Sequence, residues 1–249
     1  MRQQASSTIQ KISYQFLNTH FLVDYLFILV NKIQMSKNSF YTYDYFQPEE
    51  YRFSLDSVFL AQKVASLIKH HEDIQSWKVL DLCAGCGIIG LELALHLNIS
   101  LNIDFLEIQE VYLPYFKKNL EMIFPKSHPQ SMRFLLKNYQ ELMTSEYENN
   151  YDLIVSNPPY FFKNEGLLSP NEFKNRCRFF IDSDFETLIE STIKALKPGA
   201  SAFMLLRSGI HHNRDVVSDI KSILGSRADT QKIDQVRGTD IVEISKKRN

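Results

Sequence analysis

The chain has no surplus of either charge. Its 28 Lys and Arg are set against 29 Asp and Glu, a formal net charge of −1 over 249 residues. No bulk basic field draws in nucleic acid, so any polyanion must be met by local clusters. Cysteine is scarce: the three present, Cys83, Cys86 and Cys177, fit a reducing compartment rather than a disulfide framework. Cys83-x-x-Cys86 invites a redox or zinc reading. No second Cys pair or suitably spaced Cys-His pair accompanies it, so a four-ligand zinc site would have to come from scattered residues, and no metal is expected. His70-His71 and His211-His212 are adjacent pairs that cannot share a helix face and read as solvated. The apolar run Phe21 to Val30 is about half the length that crosses a bilayer, and Asp24 interrupts it. Asn31-Lys32-Ile33-Gln34 follows it where a signal peptide has small residues, so neither a membrane partner nor secretion is expected. Repeats, low-complexity tracts and internal linkers are also missing.

The chain is long enough to bury a full core as one domain, and its 44% hydrophobic share is ordinary for a globular protein. Its most informative stretch is Asn157-Pro158-Pro159-Tyr160, which follows a strand-like run, Tyr151 to Ser156. Two prolines fix φ, remove two donors and hold Asn157 and Pro158 extended. The Asn157 side-chain oxygen and the Pro158 carbonyl then aim at one place, where they match the two hydrogens of a planar amine such as adenine N6. Tyr160 offers a flat face for stacking, a role that Phe would fill equally well. A rigid surface turn is the plain alternative.

Upstream, Trp77 to Leu82 reads as a strand, Cys83-Ala84-Gly85-Cys86-Gly87 as a glycine turn and Ile88 to Leu97 as a buried helix. Strand, glycine turn and helix open a nucleotide-binding α/β unit. Leu101 to Glu107 reads as the next strand and puts Glu107 about 20 residues past the turn, where this architecture keeps its ribose-binding carboxylate. Gly85-x-Gly87 lacks a third glycine three residues on; Gly90 stands where the helix meets the sheet.

These motifs, in this order, resemble the class I S-adenosylmethionine-dependent methyltransferases that carry the Asn-Pro-Pro-aromatic turn. Tyr51-Arg52-Phe53-Ser54-Leu55-Asp56-Ser57-Val58-Phe59-Leu60-Ala61, Asp81-Leu82-Cys83, Glu107-Ile108-Gln109 and Asn157 through Phe161 are similar to the bacterial tRNA(Val) adenine-N6-methyltransferase family. The similarity runs from about Tyr41 to the C-terminus. It implies S-adenosylmethionine as cofactor and a Rossmann-like sheet of seven strands, the last inserted antiparallel. It implies that Gly85 and Gly87 line the cofactor, that Asp81 steadies their loop, that Glu107 accepts both ribose hydroxyls and that Phe53, Ser54 and Leu55 close over the methionine end. Asn138 holds a place where the family often has Asp, and as an amide it still offers contacts to adenine. Asn157, Pro158 and Tyr160 are the expected catalytic residues. Pro159, Phe161, Lys163, Arg176 and Arg178, with Lys174 nearby, are the expected substrate contacts; the tail Lys246-Lys247-Arg248 fits a solvated face equally well.

The resemblance implies methylation of adenine 37 in the anticodon loop of tRNA(Val), by a cytoplasmic monomer. The alternative is N5-methylation of a glutamine side chain in a protein such as a release factor, which also uses an Asn-Pro-Pro-Tyr turn. DNA adenine methylation usually needs an added recognition domain, for which this length leaves no room. A cofactor-binding relic serving as an interaction module is opposed by intact Asp81, Glu107 and Asn157.

The domain expectation is an N-terminal extension over residues 1–40, poorly ordered or untranslated with Met35 as a plausible start, and a methyltransferase domain over 41–249. Within the latter, helices are expected at Asp56–Lys69 (capped by Ser54 or Asp56), Gln109–Met122, Ser183–Lys197 (opened by a Ser183-x-x-Glu186 capping box and stopped by Pro198-Gly199) and about Asn213–Leu224. Further strands are expected at Met132–Leu136 and Ser201–Leu206, then a hairpin of Thr230–Val236 and Asp240–Ser245 through Arg237-Gly238-Thr239. Alternating strands and helices imply an α/β fold with a mostly parallel sheet covered on both faces.

Overall fold

The computed structural model describes residues 44–125, 131–163, 165–208 and 214–248. The Phe21–Val30 run, Met35 and the His211-His212 pair lie outside them. Seven strands form one sheet: β1 Lys78–Leu82, β2 Asn102–Glu107, β3 Met132–Leu136, β4 Tyr151–Ser156, β5 Leu196–Leu206, β6 Ala228–Val236 and β7 Thr239–Lys246. Their order is β3-β2-β1-β4-β5-β7-β6; β1 to β5 run parallel, and β7 is inserted antiparallel between β5 and β6. The helices are α1 Asp56–Ile68, α2 Ile88–Leu97, α3 Leu113–Ile123, α4 Glu172–Arg178, α5 Phe185–Ala195 and α6 Val216–Leu224.

The central strands carry unbroken apolar runs because both faces are covered. Successive side chains point to opposite faces. Val79, Leu153 and Val155 therefore join Val64 of α1, Leu91 of α2 and Phe116 of α3 in one core. Leu80, Leu82 and Ile154 join Leu188 of α5 and Ile220 of α6 in the other. The buried Asp104 in β2 is neutralised across the strands: Arg133 Nε and Nη2 donate to its two oxygens at 2.8 and 2.9 Å, and the Tyr151 hydroxyl donates at 2.9 Å.

The strand order reverses between β1 and β4, which lie side by side with Leu82 opposite Ser156. The crevice beyond the carboxyl ends of the strands at such a switch point is where open α/β sheets bind ligands. The glycine turn leaves β1 and the Asn-Pro-Pro-Tyr turn leaves β4, so the topology delivers both motifs to one place.

Four local expectations are corrected. Asp184, not Ser183, caps α5, its carboxylate accepting from Thr187 N at 2.7 Å. That helix ends at Ala195, and Pro198-Gly199 lie inside β5, beside a shift in the β4–β5 register. Residues Glu110–Tyr112 form a 3₁₀ turn and α3 starts at Leu113, with Pro114 in its first turn, where a missing N–H costs nothing. Helix α4 was not anticipated; Asn171 caps it by accepting from Lys174 N at 3.1 Å. The closing hairpin turns through Arg237 at φ 49° and Gly238 at φ 84°, a left-handed pair suited to a two-residue turn.

Candidate active site

The turn after β1 runs through three left-handed residues: Cys83 at φ 58°, Gly85 at φ 53° and Gly87 at φ 83°. Gly85 lines a cavity of about 360 Å³ at the switch point, within the range of small-molecule sites. Gly87 does not line it. A Cβ there would sit 2.6 Å from Phe116 Cδ2, so this glycine serves the packing of the turn against α3. Gly90 meets Phe105 in the same way, at 2.6 Å, where helix meets sheet.

Glu107 ends β2 with 6% of its surface exposed, facing the same cavity. Gly85 N donates to one carboxylate oxygen and Gln109 N to the other, both at 2.9 Å. These bonds lock the carboxylate's orientation and leave lone pairs for a ligand. Burial pushes its pKa up, while the bonds from Gln109 and Gly85 pull it back. An oriented carboxylate beside a glycine turn fits the ribose diol of S-adenosylmethionine. Asp81 lies beneath the cavity, fully buried and not part of its lining. One of its oxygens accepts from Gly90 N at 2.8 Å and the other has no partner. Burial, with Glu107 adding repulsion, raises its pKa well above the usual carboxylate range.

Asn138 lines the cavity, but its amide is largely engaged by the fold. Its side-chain oxygen accepts from Gln140 N at 3.0 Å, and its backbone N donates to Glu141 at 3.0 Å, a capping box on the 3₁₀ turn Tyr139–Met143. Nδ2 donates to the Asp182 carbonyl at 3.2 Å. The amide thus caps a turn, where the sequence reading gave it a contact to the cofactor's adenine. Phe53 reaches the cavity from the segment before α1, its backbone N held by Gln47 at 3.2 Å.

Asn157 stands at the end of β4 with its amide held at both ends. Nδ2 donates to the hydroxyl of Ser57 in α1 at 2.9 Å, and Oδ1 accepts from the Tyr160 hydroxyl at 2.5 Å. All three residues line the cavity, together with Pro158 and Pro159. The backbone N–H groups of Tyr160 and Phe161 both donate to the Arg178 carbonyl, at 3.1 and 3.0 Å, and Phe180 N donates to the Phe161 carbonyl at 2.9 Å. Helix α4 and the residues that leave it therefore brace the turn, which explains how Arg176, Cys177 and Arg178 come to the cavity.

Most of the expected site residues thus converge; Leu55, Asp81, Gly87, Lys174 and the exposed Lys163 do not line the cavity. Arg176 lines it but is paired with Asp182 at 2.9 Å. Ser57, Tyr112 and Arg207 line it without having been singled out. Arg207 follows β5 directly, and the rule that ligands lie at carboxyl ends of strands would have found it. The three cysteines are free and all line the cavity. Burial pushes Cys177 up to about 11 and Cys86 up to about 12, so they are held as thiols. Among the described residues no cluster of His, Cys, Asp or Glu is placed to hold a metal, and no helix is long and apolar enough to cross a membrane.

Residues 53–169 match the methyltransferase small domain family. The chain is 35% identical over 114 residues to a tRNA1(Val) (adenine(37)-N6)-methyltransferase of Flavobacterium psychrophilum, covering 45% of each chain. It is 26% identical over 129 residues to the protein of the same name from Tolumonas auensis, covering 52% of this chain and 51% of that one. The chain thus spans about half the length of these curated relatives. Among solved structures, a T. thermophilus 16S rRNA methyltransferase in complex with AdoMet and guanosine superposes with a TM-score of 0.53 at 20% identity, covering 77% of this chain and 43% of that one. A putative S-adenosylmethionine-dependent methyltransferase of Methanococcus maripaludis gives a TM-score of 0.51 at 16% identity, covering 78% of this chain and 90% of that one. The strand order and these superpositions show a Rossmann-like methyltransferase fold, and residues 53–169 within it are similar to the methyltransferase small domain family.

Proposed function

We propose that the protein transfers a methyl group from S-adenosylmethionine to the exocyclic N6 amine of an unpaired adenine in tRNA, with adenine 37 of the tRNA(Val) anticodon loop as the target. The observation that carries this reading is the Asn157 carboxamide, fixed between the Ser57 and Tyr160 hydroxyls on the wall of the cavity that also holds Glu107. The relatives named for this activity support it.

Bound S-adenosylmethionine supplies an electrophilic methyl group. Glu107, with Gly85 and Gln109 holding its carboxylate, would take the ribose hydroxyls, and Phe53 would cover the methionine end. An adenine amine is a weak nucleophile because its lone pair is delocalised into the ring. Asn157 Oδ1 keeps a lone pair beyond the one engaged by Tyr160, and with the Pro158 carbonyl it would accept the two amine hydrogens. Such acceptors favour a pyramidal nitrogen and disperse the positive charge that develops on it. Holding the nitrogen in line with the methyl group supplies much of the remaining acceleration. The proton leaves to water. The base must be reached outside a duplex, which an anticodon loop allows. A polar amide such as glutamine would meet the same acceptors, so the test separates the two. Labelled S-adenosylmethionine is incubated with tRNA(Val) transcript and, separately, with a release factor. Label in the RNA is expected; label confined to the release factor overturns the reading.

A further inference from the structure

Five arginines among the described residues sit beside a carboxylate. Arg133, Arg176, Arg214 and Arg227 each lie 2.6–2.9 Å from a carboxylate oxygen, and Arg237 lies 3.9 Å from Asp56. Among the described residues Arg52, Arg178, Arg207 and Arg248 have no such carboxylate, and of these Arg178 and Arg207 both line the cavity and sit over aromatic rings. Both are exposed. They come from different elements, Arg178 from the end of α4 and Arg207 from just beyond β5. Each is parked over an aromatic ring of the Asn-Pro-Pro-Tyr segment. The Arg207 guanidinium is 5.7 Å from the Tyr160 ring centroid, and Arg178 is 5.7 Å from that of Phe161 and 5.6 Å from that of Phe179. The Tyr160 and Phe161 rings themselves meet edge to face, 6.4 Å apart.

We infer that Arg178 and Arg207 are a phosphate-binding pair that grips the substrate's sugar-phosphate backbone beside the target base. The inference rests on the adenine-methylation reading and deepens it by making a polyanion, not a polypeptide, the substrate class of this mouth. A guanidinium without a carboxylate, held rigid over a ring, keeps its donors free for a bidentate anion. The chain's net charge of −1 supplies no general attraction for RNA, so the contact must come from cations placed locally. A nucleic acid presents phosphates at every nucleotide, including those that flank an extruded base. A glutamine-bearing loop presents no such fixed series. Arg176, which sequence alone groups with Arg178, is already bound to Asp182 and stands outside the pair.

The experiment measures binding of a tRNA(Val) transcript across a salt series, without turnover, for wild type, Arg178→Gln, Arg207→Gln and Arg207→Lys. Each Gln variant should weaken RNA binding roughly tenfold and flatten the slope of log affinity against log salt by about 0.7–0.9. Arg207→Lys should restore most of the slope, and calorimetry should show S-adenosylmethionine binding unchanged in all three variants. Wild-type slopes in both Gln variants, or a loss of cofactor affinity in place of RNA affinity, would overturn the pair while leaving adenine methylation standing. A wild-type protein that binds and methylates a release factor and shows no salt-dependent RNA binding would overturn both. Equal melting temperatures check that no variant is misfolded.

Discussion

The Tyr160 hydroxyl donates to Asn157 Oδ1 across 2.5 Å, while Ser57 holds the other end of the same amide at 2.9 Å. The carboxamide cannot swing without breaking both bonds. Sequence alone places Tyr160 at the catalytic turn as a stacking face and expects Phe to serve as well; this hydrogen bond changes that expectation. Tyr160→Phe keeps the ring and loses the bond, so single-turnover methylation should slow by about two- to tenfold, the worth of one hydrogen bond. Tyr160→Ala should in addition weaken RNA engagement, by the roughly 1–3 kcal/mol of a stacking face. A Tyr160→Phe enzyme of wild-type rate would show that the bond does not position Asn157.

Asn157→Ala should lower the methyl-transfer rate on the order of 10²–10³, by analogy with a lost charge-stabilising donor, and leave cofactor affinity nearly intact. The two effects are separated by single-turnover kinetics and calorimetry. Loss of cofactor binding of the same size would move Asn157 out of the catalytic role.

Glu107→Ala should weaken S-adenosylmethionine binding by roughly 1.5–3 kcal/mol, the cost of losing a charged hydrogen-bonding partner. It also releases the N–H groups of Gly85 and Gln109, which the carboxylate now holds. Titration calorimetry decides this, and equal affinities would remove Glu107 from the site.

Asp81 makes a pH-dependent contribution whose sign follows from its environment. Burial raises its pKa in the folded protein above the ordinary value of 3.8. Its contribution to stability is therefore fully present below that value and is lost as pH rises through the higher folded one. Asp81→Asn removes the titration. In thermal melts of the cofactor-free protein, the variant's Tm minus that of wild type should grow more positive as pH rises above the ordinary carboxyl value. A gap that is constant with pH would mean that Asp81 titrates as an ordinary carboxyl.

The fold was largely legible because its signals are periodic or local. Ile88–Leu97, Met132–Leu136 and Tyr151–Ser156 appear in the structure with their expected bounds. Apolar runs bounded by glycines and polar residues mark buried parallel strands. Helix α4 was missed because it is one short, mostly polar segment whose cap, Asn171, follows no apolar pattern. At Ser183-Asp184 two capping residues stand side by side, and only the structure shows which one accepts the N–H. The site was legible where chemistry sits in one contiguous motif, as in Asn157 through Tyr160. It was not legible where it depends on distant pairs. Ser57 meets Asn157 across 100 positions, and Arg178 reaches its place only because its carbonyl accepts from Tyr160 and Phe161. Arg176 and Arg178 look alike in sequence, and the nearby Asp182 alone separates a paired cation from a free one.

The central claim is adenine-N6 methylation, and the most direct measurement is nucleoside mass spectrometry on tRNA(Val) transcript after incubation with the protein and S-adenosylmethionine. The expected result is N6-methyladenosine in the wild-type transcript and none in a transcript carrying guanine at position 37. An unmodified transcript under conditions where a release factor gains methylglutamine would contradict the account.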